Sequence, residues 1–270
     1  MQSEELRIEG WSQCMEDQPS LCQVVMRNIK IILEYDGTLY CGWQRQANGT
    51  TIQQTLECVI QRITQEKVVI IGSGRTDAGV HALNQVANFL TSSSIECYNL
   101  MRGINSLLPD DIVVKGLSEV DDRFHARYSA KSKVYCYRIC NSRVRTALLK
   151  NYSWHVYEVL DLSHMEEAIG LLIGTRDFSS FCGSNDDASD HVRTVMAVDI
   201  QKKRDDMIVV TIEADGFLRH MVRNIIGTLV DVGKRKLSVL GFTEIITALD
   251  RAKAGITAPP QGLFLKEVRY

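Results

Sequence analysis

A chain of 270 residues with 45% apolar and 24% charged side chains can bury a sizeable core, which excludes disorder over most of its length and leaves room for one large domain or two smaller ones. Its formal net charge of -2 excludes a uniformly basic nucleic-acid binder, because phosphate contacts depend on lysine and arginine. No stretch approaches the roughly 18 apolar residues of a membrane span, and the acidic start MQSEELRIEG lacks the basic, then apolar pattern of a leader.

Residues 1–27 show no sustained period and are expected to form a mobile N-terminal arm. Asn28 to Tyr35 is a β-branched run closed by Asp36-Gly37, which predicts a buried strand and a turn. Thr50 or Thr51 can cap a following helix whose Ile52, Leu56, Val59, Ile60 and Ile63 fall on one face. Lys67 to Ile71 and Gln85 to Leu90 read as strands on either side of a glycine-rich segment. Leu100, Met101, Ile104, Leu107 and Leu108 make an amphipathic helix closed by Pro109, and Ile112 to Leu117 a strand beyond it.

Beyond Asp121 the same style returns. Strands are expected at Val134 to Ile139, Trp154 to Tyr157, Val192 to Gln201 and Met207 to Ala214, the last two joined as a hairpin through Lys202-Lys203-Arg204-Asp205. Ser163 with Glu166 reads as a capping box, and Leu218 to Val232 as a helix ending at Gly233. Strands and helices mixed without strict βαβ alternation predict an α+β fold of two halves with antiparallel-rich sheets, residues 28–125 and 126–270.

Charge is unevenly spread. From Arg123 to Tyr157 there are eight lysines or arginines and no acid, interleaved with Phe124, Tyr128, Tyr135 and Tyr137, which points to a nucleic-acid surface containing Arg127, Lys131 and Lys133. The eight cysteines include no C-x-x-C pair, which argues against a zinc ribbon or a disulfide framework and for a cytoplasmic protein. The six histidines show no metal-binding spacing.

Gly72-Ser73-Gly74-Arg75-Thr76-Asp77-Ala78-Gly79 brings three glycines, an arginine and a carboxylate into eight positions. Read alone, it is either a ligand-approaching loop or a tight turn in which Asp77 bonds its own backbone. A phosphate loop would need a lysine that is missing.

Four separated motifs, Glu34-Tyr35-Asp36-Gly37 with Gly42-Trp43-Gln44-Arg45-Gln46, Gly74-Arg75-Thr76-Asp77-Ala78-Gly79-Val80-His81, Phe124-His125-Ala126-Arg127, and Met221-Val222-Arg223-Asn224, resemble in order and spacing the tRNA pseudouridine synthase A family. The resemblance runs from about Asn28 to Tyr270. It implies isomerisation of uridines 38, 39 and 40 on the 3′ side of the tRNA anticodon stem-loop, by a homodimer with a basic cleft and without cofactor or metal. On that pattern Asp77 is the essential catalytic residue and Arg75 helps extrude the target base. Tyr135 lies beside that base, Arg223 pairs with the aspartate, and Leu263 lines the pocket. The alternative on the same scaffold is a non-catalytic RNA-binding protein. The acidic stretch Asn185 to Asp190 departs from the pattern and is expected at the rim of the cleft.

Overall fold

Alternation decides the first strand. In β1 (Arg27–Tyr35), Ile29, Ile31, Leu33 and Tyr35 are buried in the core while Lys30, Ile32 and Glu34 take the other face. The computed structural model describes residues 25–183 and 189–270. Nearly all of the N-terminal arm and most of the acidic stretch lie outside those residues. Arg27, placed in the arm by sequence, belongs to the sheet, its guanidinium donating to Glu119 and to the Ser93 and Ile95 carbonyls.

Helix α1 (Ile52–Thr64) is capped by Thr51, whose hydroxyl accepts from the Gln54 N–H, and buries Ile52, Leu56, Val59 and Ile60. Of the Lys67 to Ile71 strand only the last residue survives, in β2 (Ile71–Gly72). The reason is local. The Ile70 N–H donates to Glu57 Oε1 and its carbonyl accepts from Gln53 Nε2, so two side chains of α1 take the bonds a neighbouring strand would need. Strand β3 (His81–Thr91), helix α2 (Cys97–Leu107) and strand β4 (Ile112–Val120) follow as expected.

The second half begins with β5 (Ser132–Cys140). The Trp154 to Tyr157 strand shrinks to β6 (Trp154–His155), because the Asn141 amide takes the Val156 and Glu158 carbonyls. Helix α3 (Leu162–Gly170) starts one residue before Ser163, the first residue of the capping box. Its cap is Asp161, which accepts from the His164 N–H, and Ser163 lies inside the helix. Strand β7 (Gly174–Asp177) carries no sequence expectation. The hairpin of β8 (Val192–Lys202) and β9 (Met207–Ala214) turns through Asp205 and Asp206, both at positive φ. Helix α4 (Met221–Gly233) matches its expectation, whereas α5 (Val239–Ala248) and β10 (Leu263–Arg269) were not anticipated.

The ten strands among the described residues join one sheet, in the order β4-β1-β3-β10-β5-β9-β8-β7, with β2 on β3 and β6 on β5. Pairing is antiparallel except for β3 with β10 and β5 with β6. Helices α1 and α2 pack together beside the first strands and α3, α4 and α5 beside the later ones, so the fold is α+β with one continuous core.

Strand β1 covers one edge of β3 along most of its length, and the other edge is shared. Strand β2 takes Asn88 and Ala87 of that edge and β10 takes His81 and Ala82. The loop from Ser73 to Val80 therefore emerges at the seam where the last strand of the chain joins the first strands to β5.

Candidate active site

The glycine-rich loop is held by its backbone. Trp43 N donates to the Thr76 carbonyl at 3.0 Å, and the Tyr35 hydroxyl meets the Thr76 hydroxyl at 2.9 Å. Gly42, at φ +91°, has no room for a Cβ, which would lie 2.6 Å from the Thr76 oxygen. At the loop's start Ser73 bonds Gln85 and the Gln85 amide takes the Gly74 carbonyl. At its end the Gly79 N–H reaches the Tyr40 carbonyl. With Thr76 clamped inward, Arg75 is exposed and Asp77 is partly exposed.

A turn does form, since Val80 N donates to the Asp77 carbonyl. The carboxylate is not used by it. Asp77 Oδ2 accepts from Arg223 Nη1 at 3.0 Å and lies 3.5 Å from His220 Nε2. Oδ1 has no hydrogen-bond partner among the described residues.

Arg223 comes from the first turn of α4, and its direction is set by a second segment. Its Nε donates to the Ala258 carbonyl at 2.8 Å, and the Ala258 N–H returns to the Arg223 carbonyl. Gly227 lets residues 255–258 lie directly on α4, since a Cβ there would sit 1.7 Å from the Ile256 oxygen. Asn224, fully buried, accepts from Arg251 and Thr257, and the Thr228 hydroxyl accepts from the Gly255 N–H. The guanidinium is thus fixed at both ends before it meets the carboxylate.

Tyr135 stands in the middle of the sheet, opposite Leu265 of β10 and Ile212 of β9, with its ring edge-on to Phe217 at 4.9 Å. Burial pushes its hydroxyl far above the usual phenol range, and the nearby Tyr35 and Asp77 add to this. That hydroxyl has no partner among the described residues, yet no fully enclosed side-chain polar atom lacks one, so solvent reaches the Tyr135 oxygen. Leu263 begins β10 and is buried with Leu265 in the same core.

The basic run does not form a single face. Arg127 and Lys131 are exposed on the connection between β4 and β5, and Lys133 is half-buried with its stem against Gly74. Arg138 turns to the opposite face of the sheet, over the Phe264 ring at 4.1 Å. A second basic cluster, Lys234-Arg235-Lys236, is partly neutralised, since Lys234 pairs with Glu158 and Arg235 with Asp161.

Two residues near the site were missed in the sequence. His220, at φ +60° just before α4, precedes Arg223 by three residues, a spacing that puts both on one helix face and was the available signal. Burial lowers its pKa, the Asp77 carboxylate opposes this and Arg223 reinforces it. Gln44 accepts from Arg75 Nε at 3.2 Å and is anchored through Gln53 to Glu57. Its place in Gly42-Trp43-Gln44 gave it no role from sequence alone.

One carboxylate in a backbone-clamped loop, an arginine fixed across the seam and a buried aromatic hydroxyl make up the candidate site of this α+β fold. The sequence model of the family described as "tRNA pseudouridine synthase" matches residues 31–129 and 168–270. A "tRNA pseudouridine synthase A" of Thermoanaerobacter sp. (strain X514) is 49% identical over 245 residues, covering 91% of this chain and all of the relative. The protein of the same name from Acetivibrio thermocellus is 49% identical over 246 residues, again 91% of this chain and all of the relative. A "tRNA pseudouridine synthase A 2" of Clostridium perfringens is 46% identical over 245 residues with the same coverage. The chain belongs to the tRNA pseudouridine synthase family, and its members are isomerases.

Proposed function

We propose that this chain converts uridine to pseudouridine at positions 38, 39 and 40 on the 3′ side of the tRNA anticodon stem-loop, with Asp77 as the essential catalytic residue. The observation that carries the reading is the 3.0 Å ion pair between Asp77 and Arg223, two groups 146 residues apart in the chain.

Uridine and pseudouridine have the same formula. The N1–C1′ bond breaks, the uracil turns, C5 joins C1′, the C5 proton leaves and N1 gains one, so no electrons or groups need to be supplied. Arg223 pairs with the carboxylate at 3.0 Å and fixes its direction. With Oδ2 held by that guanidinium, Oδ1 is the oxygen that meets the nucleotide, whether at the sugar or at the base. Asp77 also accepts the C5 proton, with the Tyr135 hydroxyl beside it and Leu263 closing the apolar side.

A base paired in an A-form stem is out of reach and has to be extruded. Arg75, exposed two residues before Asp77, takes the vacated place, while Arg127, Lys131 and Lys133 hold backbone phosphates. The working unit is a cytoplasmic homodimer acting on tRNA without a cofactor or metal.

Purified protein incubated with unmodified tRNA and no added cofactor should form pseudouridine, detected by mapping the modified positions. Asp77→Asn should bind the tRNA and make none. Pseudouridine from the Asp77→Asn protein would overturn the role of Asp77, and none from the wild type would favour the non-catalytic RNA-binding alternative.

A further inference from the structure

We infer that Lys133, with Arg127 and Arg193, forms a discrete site for one phosphate of the RNA backbone, the phosphodiester adjoining the extruded uridine. The inference rests on the function proposed above and deepens it, replacing a diffuse basic surface with a single subsite.

Position comes first. Lys133 lies two residues before Tyr135 on β5, so both side chains project from the same face about 7 Å apart along the strand. Its stem lies over the catalytic loop. A Cβ built on Gly74 would be 3.5 Å from Lys133 Cε and 4.0 Å from Nζ, and Gly74 directly precedes Arg75. A base held beside Tyr135 and Asp77 would have its own backbone linkage within reach of this ammonium.

The second observation is that this cation has no acceptor. The Lys133 ammonium makes no hydrogen bond or ion pair with any described residue. The Gly74 carbonyl beside it is taken by Gln85, and Asp215, the carboxylate that acts on it among the described residues, accepts from the Thr194 N–H at 3.0 Å. Burial lowers the lysine's pKa, Arg127 and Arg193 lower it further, and Asp215 opposes them. Among the described residues Arg193 donates through Nη1 to the Asp190 and Val192 carbonyls.

Other partly buried cations are met by a carboxylate or an aromatic ring, as Lys30 is by Phe124 and Tyr270. Lys234 has Glu158 at 2.9 Å and Arg223 has Asp77 at 3.0 Å. A half-buried ammonium without an acceptor is destabilising in the free protein. A phosphate oxygen removes that penalty through short charge-assisted bonds, and a backbone phosphate fixes the nucleotide without reading its sequence.

Anticodon stem-loop RNAs carrying one uncharged methylphosphonate linkage, placed in turn at each phosphate flanking the target uridine, test the site. One such linkage is expected to lower kcat/KM about tenfold for the wild type and for Lys133→Arg, the size of a lost charge-assisted bond. Lys133→Met should begin lower by a similar factor and be indifferent to that linkage. Equal sensitivity of Lys133→Met and wild type at every flanking position overturns the inference.

Thermal unfolding gives a readout independent of turnover. Lys133→Met keeps the stem and removes the unpaired charge, so its Tm in phosphate-free buffer should exceed that of the wild type. Inorganic phosphate should then raise the wild-type Tm more than the variant's. Equal phosphate shifts would mark the ion as adventitious and count against the site. A wild type that makes no pseudouridine but shows the selective phosphate shift would sink the proposed function and leave the anion site standing.

Discussion

The two faces of the central sheet both gather ionisable groups, and they differ in how completely those groups are partnered. On the face opposite the Asp77 loop, Asp36 Oδ1 accepts from the Thr38 N–H at 2.9 Å and Oδ2 from the Tyr152 hydroxyl at 2.6 Å. His81 bonds the Asn151 carbonyl through Nε2, accepts from the Gly37 N–H through Nδ1, and stacks on Phe264. Asp111 takes the Tyr40 hydroxyl. On the Asp77 face, Asp77 Oδ1, the Tyr135 hydroxyl and the Lys133 ammonium have no hydrogen-bond partner among the described residues. A saturated polar cluster stabilises the fold, whereas unfilled bonding capacity gathered at one place is what a substrate can use.

The largest effect should come from Arg223→Lys. A lysine cannot hold the Ala258 carbonyl and Asp77 together in one plane, as Nε and Nη1 do here at 2.8 and 3.0 Å. A fall in kcat on the order of a hundredfold is expected, comparable to losing one fixed electrostatic donor. Wild-type turnover in the Arg223→Lys protein would show that the seam pairing is only structural.

Tyr152→Phe should have the converse signature. It removes the 2.6 Å bond to Asp36, so denaturant unfolding should report a loss of about 1 kcal/mol with kcat unchanged. A drop in kcat without a drop in stability would erase the distinction between the two faces.

The smallest effect concerns pH. Burial lowers the His81 pKa, the Asp36 carboxylate 3.0 Å from Nδ1 opposes this, and the net direction is down. A group depressed in the folded state contributes stability that is present above its unfolded pKa, about 6.5, and lost as pH falls through its folded value. Stability measured from pH 7 to pH 5 should therefore decline, and His81→Gln, though less stable overall, should decline less steeply. An identical slope in both proteins would show that His81 does not titrate with unfolding.

Much of the local structure was legible in the sequence. The β-branched run of β1, the one-sided apolar spacing of α1 and α4 and the turn residues of the β8–β9 hairpin each express a preference confined to neighbouring residues. Where the expectations slipped, a side chain competed for backbone bonds, as Glu57 and Gln53 do at Ile70, Asn141 does at Val156 and Asp161 does ahead of Ser163. No local pattern foretells that competition, because it depends on which element lies alongside.

By itself the sequence determined the class of the fold, the family resemblance and the residues able to act, since spacing and residue chemistry are local properties. Tertiary structure alone decided what those residues face. Insertion of β10 between β3 and β5 brings the two halves together at the Asp77 loop. It also divides a continuous basic run, sending Lys133 to the loop and Arg138 to the far side. The physical reason is that strand neighbours and the Asp77–Arg223 pair are long-range contacts, chosen by closure of the whole sheet and invisible to any window of the chain.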